Sequence, residues 1–160
     1  MAATLGLTLT QGTQENVNNR TYVTGVVKVT STSGSFNNNA QPGYIVMNGV
    51  QYNFTHSFAA NTTTTLYTVS AWVPHNADGT KTVYANASYN TGVSPGTITA
   101  SASKVLTPIP RNSVLGTIPA FIFDSNAGVS VPFSVPITKY ATSYYDVLTI
   151  KIGGVTIATR

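Results

Sequence analysis

The segment YIVMNGVQYNF, residues 44–54, decides the fold class. Asn48-Gly49 separates an apolar run, YIVM, from one in which apolar and polar residues alternate, VQYNF. Asn-Gly is the preferred pair for a two-residue type I′ turn, because both central positions need positive φ. Such a turn sets a register in which Met47 opposes Val50 and Ile45 opposes Tyr52. All four side chains then share one face, with Phe54 next along it. A slip of one residue would invert that face, so the agreement between turn and pattern argues for a β-hairpin.

The same period of two runs through the chain. In TYVTGVVKV, Val23, Val27 and Val29 share a face, opposite Thr24 and Lys28. In LYTVSAWVP, Tyr67, Val69, Ala71 and Val73 align, and in KTVYANASY so do Val83, Ala85, Ala87 and Tyr89. In VSVPFSVPI, Val129, Val131, Phe133, Val135 and Ile137 alternate with Ser and Pro. These patterns describe half-buried strands. No window keeps a 3.6-residue spacing over a helical length. KIGGVTI reads as a second tight hairpin on Gly153-Gly154, with Ile152 facing Val155 and Ile150 facing Ile157.

Short strands separated by turn signals predict an all-β protein. The boundary falls in TPIPRNSVLGTIP, where Pro108 and Pro110 withhold ladder donors. The expected fold is an antiparallel Ig-like or jelly-roll-like β-sandwich over residues 1–111, then a second small β unit over 112–160. That unit holds about four strands, AFIFD, VSVPFSVPI, YDVLTIKI and GVTIATR, a thin basis for a core of its own. Its last strand stops without a closing partner. Rather than docking on the first domain, it is expected to dock on another subunit and to continue into a longer chain.

Composition narrows the function. Only 8% of the 160 residues are charged, against roughly 25% in an average domain. Thr, Ser, Asn and Gly take their place, which suits sheets with a hydroxyl-rich wet face. The net charge of +4 arises because Glu15, Asp78, Asp124 and Asp146 are the only acids. The eight Lys and Arg are scattered singly, so nucleic acid is not an expected partner. Apolar runs are too short for a bilayer, and the alternating MAATLGLTLT is not a secretory signal. Met1 reads as a native start. With no cysteine, disulfides and thiolate chemistry are out.

The densest chemistry lies in VPHNADGTKTV, residues 73–83, where His75 precedes Asp78 by three positions. A His–Asp pair awaits a nucleophile, but no Gly-x-Ser-x-Gly elbow is present. Asn, Asp and Gly between two alternating strands are turn chemistry, and the turn is the expected reading. Glycoside hydrolysis needs two carboxylates roughly 5 to 9.5 Å apart, and no two of the four acids are close in sequence. His56 and His75 lack a third ligand, and DSNAG lacks the remaining ligands of a calcium loop. No glycine-rich run opens a helix to cradle phosphate. No catalytic, cofactor-binding or metal-binding residue is therefore assigned, and no cofactor is expected.

Trp72 and nine tyrosines raise a sugar-stacking reading. Trp72 alternates away from Val69 and Val73, yet tryptophan is mostly buried, so a core position is expected. Tyr144-Tyr145 places one ring on each face of a strand. Asn-x-Ser/Thr sequons at Asn19, Asn53, Asn61 and Asn86 are expected by chance in a chain rich in these residues.

Three pieces stand in order: NGVQYNFTHSF, YTVSAWVPHNADGTKTVYANASY and ASASKVLTPIPRNS. Together they resemble an Ig-like β-sandwich module of tail and minor structural proteins from phages of Gram-positive bacteria. The matching signatures are Pro74-His75-Asn76, Asp78-Gly79-Thr80 and Ile109-Pro110-Arg111, and the likeness covers roughly residues 1 to 113. The resemblance implies a non-enzymatic virion protein at the tail tip or a host-contact position, with more β modules after the IPR exit. It supplies no catalytic residues. As a complete gene product, the chain would instead suit a capsid decoration or adaptor protein. The expected partners are other virion proteins and copies of itself, with a host-surface polysaccharide as the ligand of the alternative, carbohydrate-binding reading. Neither nucleic acid nor membrane is expected. The expected location is the virion, assembled in the host cytoplasm.

Overall fold

The computed structural model describes residues 2–32, 37–111, 114–117, 134–138, 149–152 and 155–159. Among them are strands, turns and irregular segments, and no helix. The chain divides into two compact units. One is Met1–Asn76 with Thr80–Ile109, the other Ala77–Gly79 with Pro110–Arg160.

Seven strands build the first unit: β1 (Ala2–Glu15), β2 (Arg20–Thr32), β3 (Asn37–Met47), β4 (Val50–Phe58), β5 (Thr63–Pro74), β6 (Thr82–Asn90) and β7 (Thr97–Val105). They form a three-stranded sheet, β1-β2-β5, and a four-stranded sheet, β4-β3-β6-β7. All pairs are antiparallel. The chain changes sheets between β2 and β3, β4 and β5, and β5 and β6, so β2 pairs with β5 and β3 with β6 across long sequence gaps. The inner faces of the two sheets meet in one apolar core, a β-sandwich.

Alternation explains the core directly. Every second residue of β2 from Thr21 to Ser31 is buried, and Val23, Val27 and Val29 have no exposed surface. In β6, Val83, Ala85, Ala87 and Tyr89 alternate in the same way and are all buried. Each fully buried valine contributes about 1.5–3 kcal/mol relative to an exposed one. The hairpin at Asn48-Gly49 has the expected register, Met47 opposite Val50 and Ile45 opposite Tyr52. The φ angles there are +49° and +84°, as a type I′ turn requires. Ile45, Met47 and Phe54 are buried, whereas Val50, beside the turn, is exposed.

Two features modify the simple pattern. In β5 the pairing steps from Val27–Tyr67 to Lys28–Thr65, so Leu66 is an extra, bulged residue. Leu66 is buried and Tyr67 half-buried, adjacent residues that both serve the core. In β3, Gly43 lies between Phe54 of β4 and Tyr89 of β6. The two rings stack with centroids 6.1 Å apart. A Cβ on Gly43 would lie 2.6 Å from the Phe54 ring, so the bare glycine is what lets the rings close over the strand.

In the second unit, β8 (Val114–Leu115) pairs with β9 (Ile137–Thr138), and β10 (Thr149–Ile152) with β11 (Val155–Thr159). Ile152 faces Val155 as expected. Ile150 faces Ala158 rather than Ile157, because the register shifts between Ile150 and Lys151. Residues 134–136 of the expected VSVPFSVPI strand lie outside any strand. Pro136 has no N–H for a ladder, and β9 starts one residue later. The AFIFD strand, the rest of VSVPFSVPI, the start of YDVLTIKI and the Gly153-Gly154 turn lie outside the described residues.

Candidate functional site

His75 sits at the exit of β5 and is buried. Its Nε2 lies 2.8 Å from the hydroxyl of Thr21, which has no exposed surface. Its backbone N–H donates to the Asn19 carbonyl at 2.8 Å. Asn19 ends the β1–β2 turn with a φ of +50° and donates its side-chain amide to the carbonyls of His75 (3.3 Å) and Asn76 (2.9 Å). Both acceptors are carbonyls, which fixes the orientation of that amide. Asn76 closes the loop on Thr80, backbone N–H to carbonyl at 2.9 Å. Gly79 supplies the positive φ, +81°. The PHN-x-DGT motif is thus a strapped loop whose imidazole is turned into the interior.

Glu15 and the remaining histidine are occupied in similar ways. Glu15 accepts from Arg20 and from Asn18. The Arg20 hydrogen bond outweighs partial desolvation and holds the Glu15 carboxyl below its ordinary range. His56 contacts the Ser57 carbonyl through Nδ1, and its own carbonyl accepts from the Tyr89 hydroxyl at 2.7 Å. Burial pushes the Tyr89 phenol up, so it stays a donor. Asp124, Asp146, Tyr144 and Tyr145 lie outside the described residues. Among the described residues, no three His, Asp or Glu are gathered as metal ligands would be.

Trp72 corrects the expectation of a core position. It is 40% exposed, on the outer face of the three-stranded sheet. Its ring is nonetheless partly covered. Tyr22, directly opposite on β2, meets it edge-on at 5.1 Å, and the Arg20 guanidinium lies 4.6 Å above its centroid. Alternation outweighed the general tendency of tryptophan to bury, and a cation already takes the place a sugar ring would need.

The outer face of the four-stranded sheet is different. Its pairs make transverse rows: Asn53–Tyr44–Ser88–Thr99, and next to it Gln51–Val46–Asn86–Ser101. A groove of about 530 Å³ opens over Pro42, Tyr44, Asn53, Thr55, Asn90 and Thr97. A second depression of about 370 Å³ lies over Tyr44, Asn86, Ser88, Thr99 and Ser101. The two share Tyr44 and Ser88. Asn53 Oδ1 accepts from Gln51 at 2.8 Å, and Asn90 Oδ1 from the Gly92 N–H at 2.9 Å. With the oxygens engaged, both amides retain NH2 groups as their remaining donors. Sequence reasoning passed over Tyr44, although its parity, opposite to Ile45 and Met47, marks it as outward.

Residues 2–158 match a protein family described as "Siphovirus protein of unknown function (DUF859)". No curated protein and no solved structure matches the chain.

Proposed function

The chain belongs to this siphovirus family, and we propose that it is a structural component of the phage virion, built into the tail. The observation that joins this reading to the family is the sandwich surface. Its described outer faces present mainly hydroxyls, amides and a few rings, with Arg20 and Lys28 on the three-stranded sheet, while Glu15, His56 and His75 are engaged within the fold. Thr21 and His75 satisfy each other in the interior, and Glu15 is held by Arg20 and Asn18. We read the chain as non-enzymatic on that basis.

Such a part works by docking. β1 and β5 are the edges of one sheet and β4 and β7 of the other, and edge strands accept a further strand from a neighbour. Symmetric self-association is the common outcome for repeated structural parts. The strand orders also support the Ig-like reading. The second strand beside the fifth and the third beside the sixth correspond to the B–E and C–F neighbours of that architecture. A Gram-positive host follows only from the PHN-x-DGT and IPR signatures.

Immunogold labelling of intact particles, with mass spectrometry of the same preparation, tests the proposal. Label at the distal tail is the expected result. Label over the head would make the chain a decoration protein, and absence from purified particles would overturn the virion role.

A further inference from the structure

We infer that the outer face of the four-stranded sheet, centred on Tyr44, binds an uncharged polysaccharide of the host surface. Three observations carry this. First, the rows through Tyr44 and Val46 contain Asn, Gln, Ser, Thr, Tyr and Val, and no Asp, Glu, Lys, Arg or His. A field without charge gives an ionic polymer nothing to pair with, whereas hydroxyls and amides suit a ligand made of hydroxyls. Second, the two depressions adjoin and share Tyr44 and Ser88. A chain of rings crossing the sheet would occupy both, with the Tyr44 side chain between them. Third, Asn53 and Asn90 flank the larger groove with amides oriented by their own hydrogen bonds, so little ordering is left for binding to accomplish.

The opposite sheet is the poorer candidate despite its tryptophan. Arg20 and Tyr22 already cover Trp72, and Lys28 adds a charge to that face. The host as the source of the polymer rests on the virion reading, whereas the chemistry of the site does not.

Isothermal titration of the purified full chain against soluble neutral glucans, mannans, galactans and rhamnans tests the site, with heparin and polyglycerol phosphate as anionic controls. Binding to at least one neutral polymer is expected. Tyr44→Ala should weaken it by about tenfold, the loss typical of an aromatic anchor. Ser88→Asp should do likewise, and Trp72→Ala should leave it unchanged. Amide shifts in a ¹⁵N titration should fall in the Tyr44 and Val46 rows, and thermal melts should show that the outward-facing variants fold. The inference is overturned if no neutral polymer binds, if the anionic polymers bind as well, or if Trp72→Ala is the variant that loses binding. It is also overturned if Tyr44→Ala dissolves self-association in sedimentation runs, since a second copy would then own the face. Failure here leaves the particle-labelling result untouched, so the two readings fall separately.

Discussion

His75 and Thr21 meet at 2.8 Å between Nε2 and Oγ1, tying the exit of β5 to the start of β2 at a point closed to solvent. A hydrogen bond there is worth more when removed on one side than its net contribution, because the other partner is left buried without it. Thr21→Val keeps the shape and deletes the hydroxyl. It is expected to cost about 1–3 kcal/mol, read as a lower urea midpoint with an unchanged slope. In a double-mutant cycle with His75→Leu, the two changes should cost less together than their sum. Additive costs would show that the pair is not coupled.

Gly43 and Gly49 should respond to alanine for different reasons. At Gly49, φ is +84° and nothing lies near the added Cβ, so the cost is conformational, about 1–2 kcal/mol. At Gly43 the Cβ would meet the Phe54 ring at 2.6 Å and the Ser88 carbonyl at 2.9 Å. Gly43→Ala is expected to be the more damaging of the two, by denaturant unfolding. Adding Phe54→Leu should recover part of the Gly43→Ala loss and none of the Gly49→Ala loss.

The reach of the sequence can be judged from the same residues. The Asn48-Gly49 hairpin and the valine face of β2 were readable because turn chemistry and alternation are local. The Leu66 bulge was not, since it exists only in the pairing of β5 with β2. The Ile150–Ala158 register likewise depends on a shift that the apolar pattern does not encode. Trp72 was readable from its parity, and a general expectation about tryptophan pointed the other way. The Tyr44 groove needed topology: Asn53, Ser88 and Thr99 come from three strands that only sheet order places in one row.

Glu15 gives the fold an acid-sensitive tie. Its carboxyl is held below the ordinary value of 4.5, chiefly by the Arg20 hydrogen bond. A depressed carboxylate contributes stability above its unfolded pKa and loses it as pH falls through the folded value. Wild type should therefore melt above Glu15→Gln near neutral pH. The gap should close as pH drops below the ordinary carboxylate range. Both side chains are about a third exposed, at 38% for Arg20 and 34% for Glu15, so added salt should also narrow the gap.

The same tie should be visible from Trp72, the chain's single tryptophan. Glu15 holds Arg20, and Arg20 lies over the Trp72 ring. Acrylamide, a neutral quencher, therefore reports on the guanidinium cover without being drawn or repelled by charge. Arg20→Ala should raise the quenching constant, while Lys28→Ala, on the same sheet, should leave it near the wild-type value. Glu15→Gln should raise it in part, because Arg20 loses the partner that orients it. In the wild type, quenching should rise as Glu15 takes up its proton, over the pH interval in which the melting gap closes. Equal quenching in wild type and Arg20→Ala would mean that the guanidinium does not rest on the ring in solution. Trp72 would then be an open aromatic face, and the argument that sets it below Tyr44 as a polysaccharide platform would lose its footing.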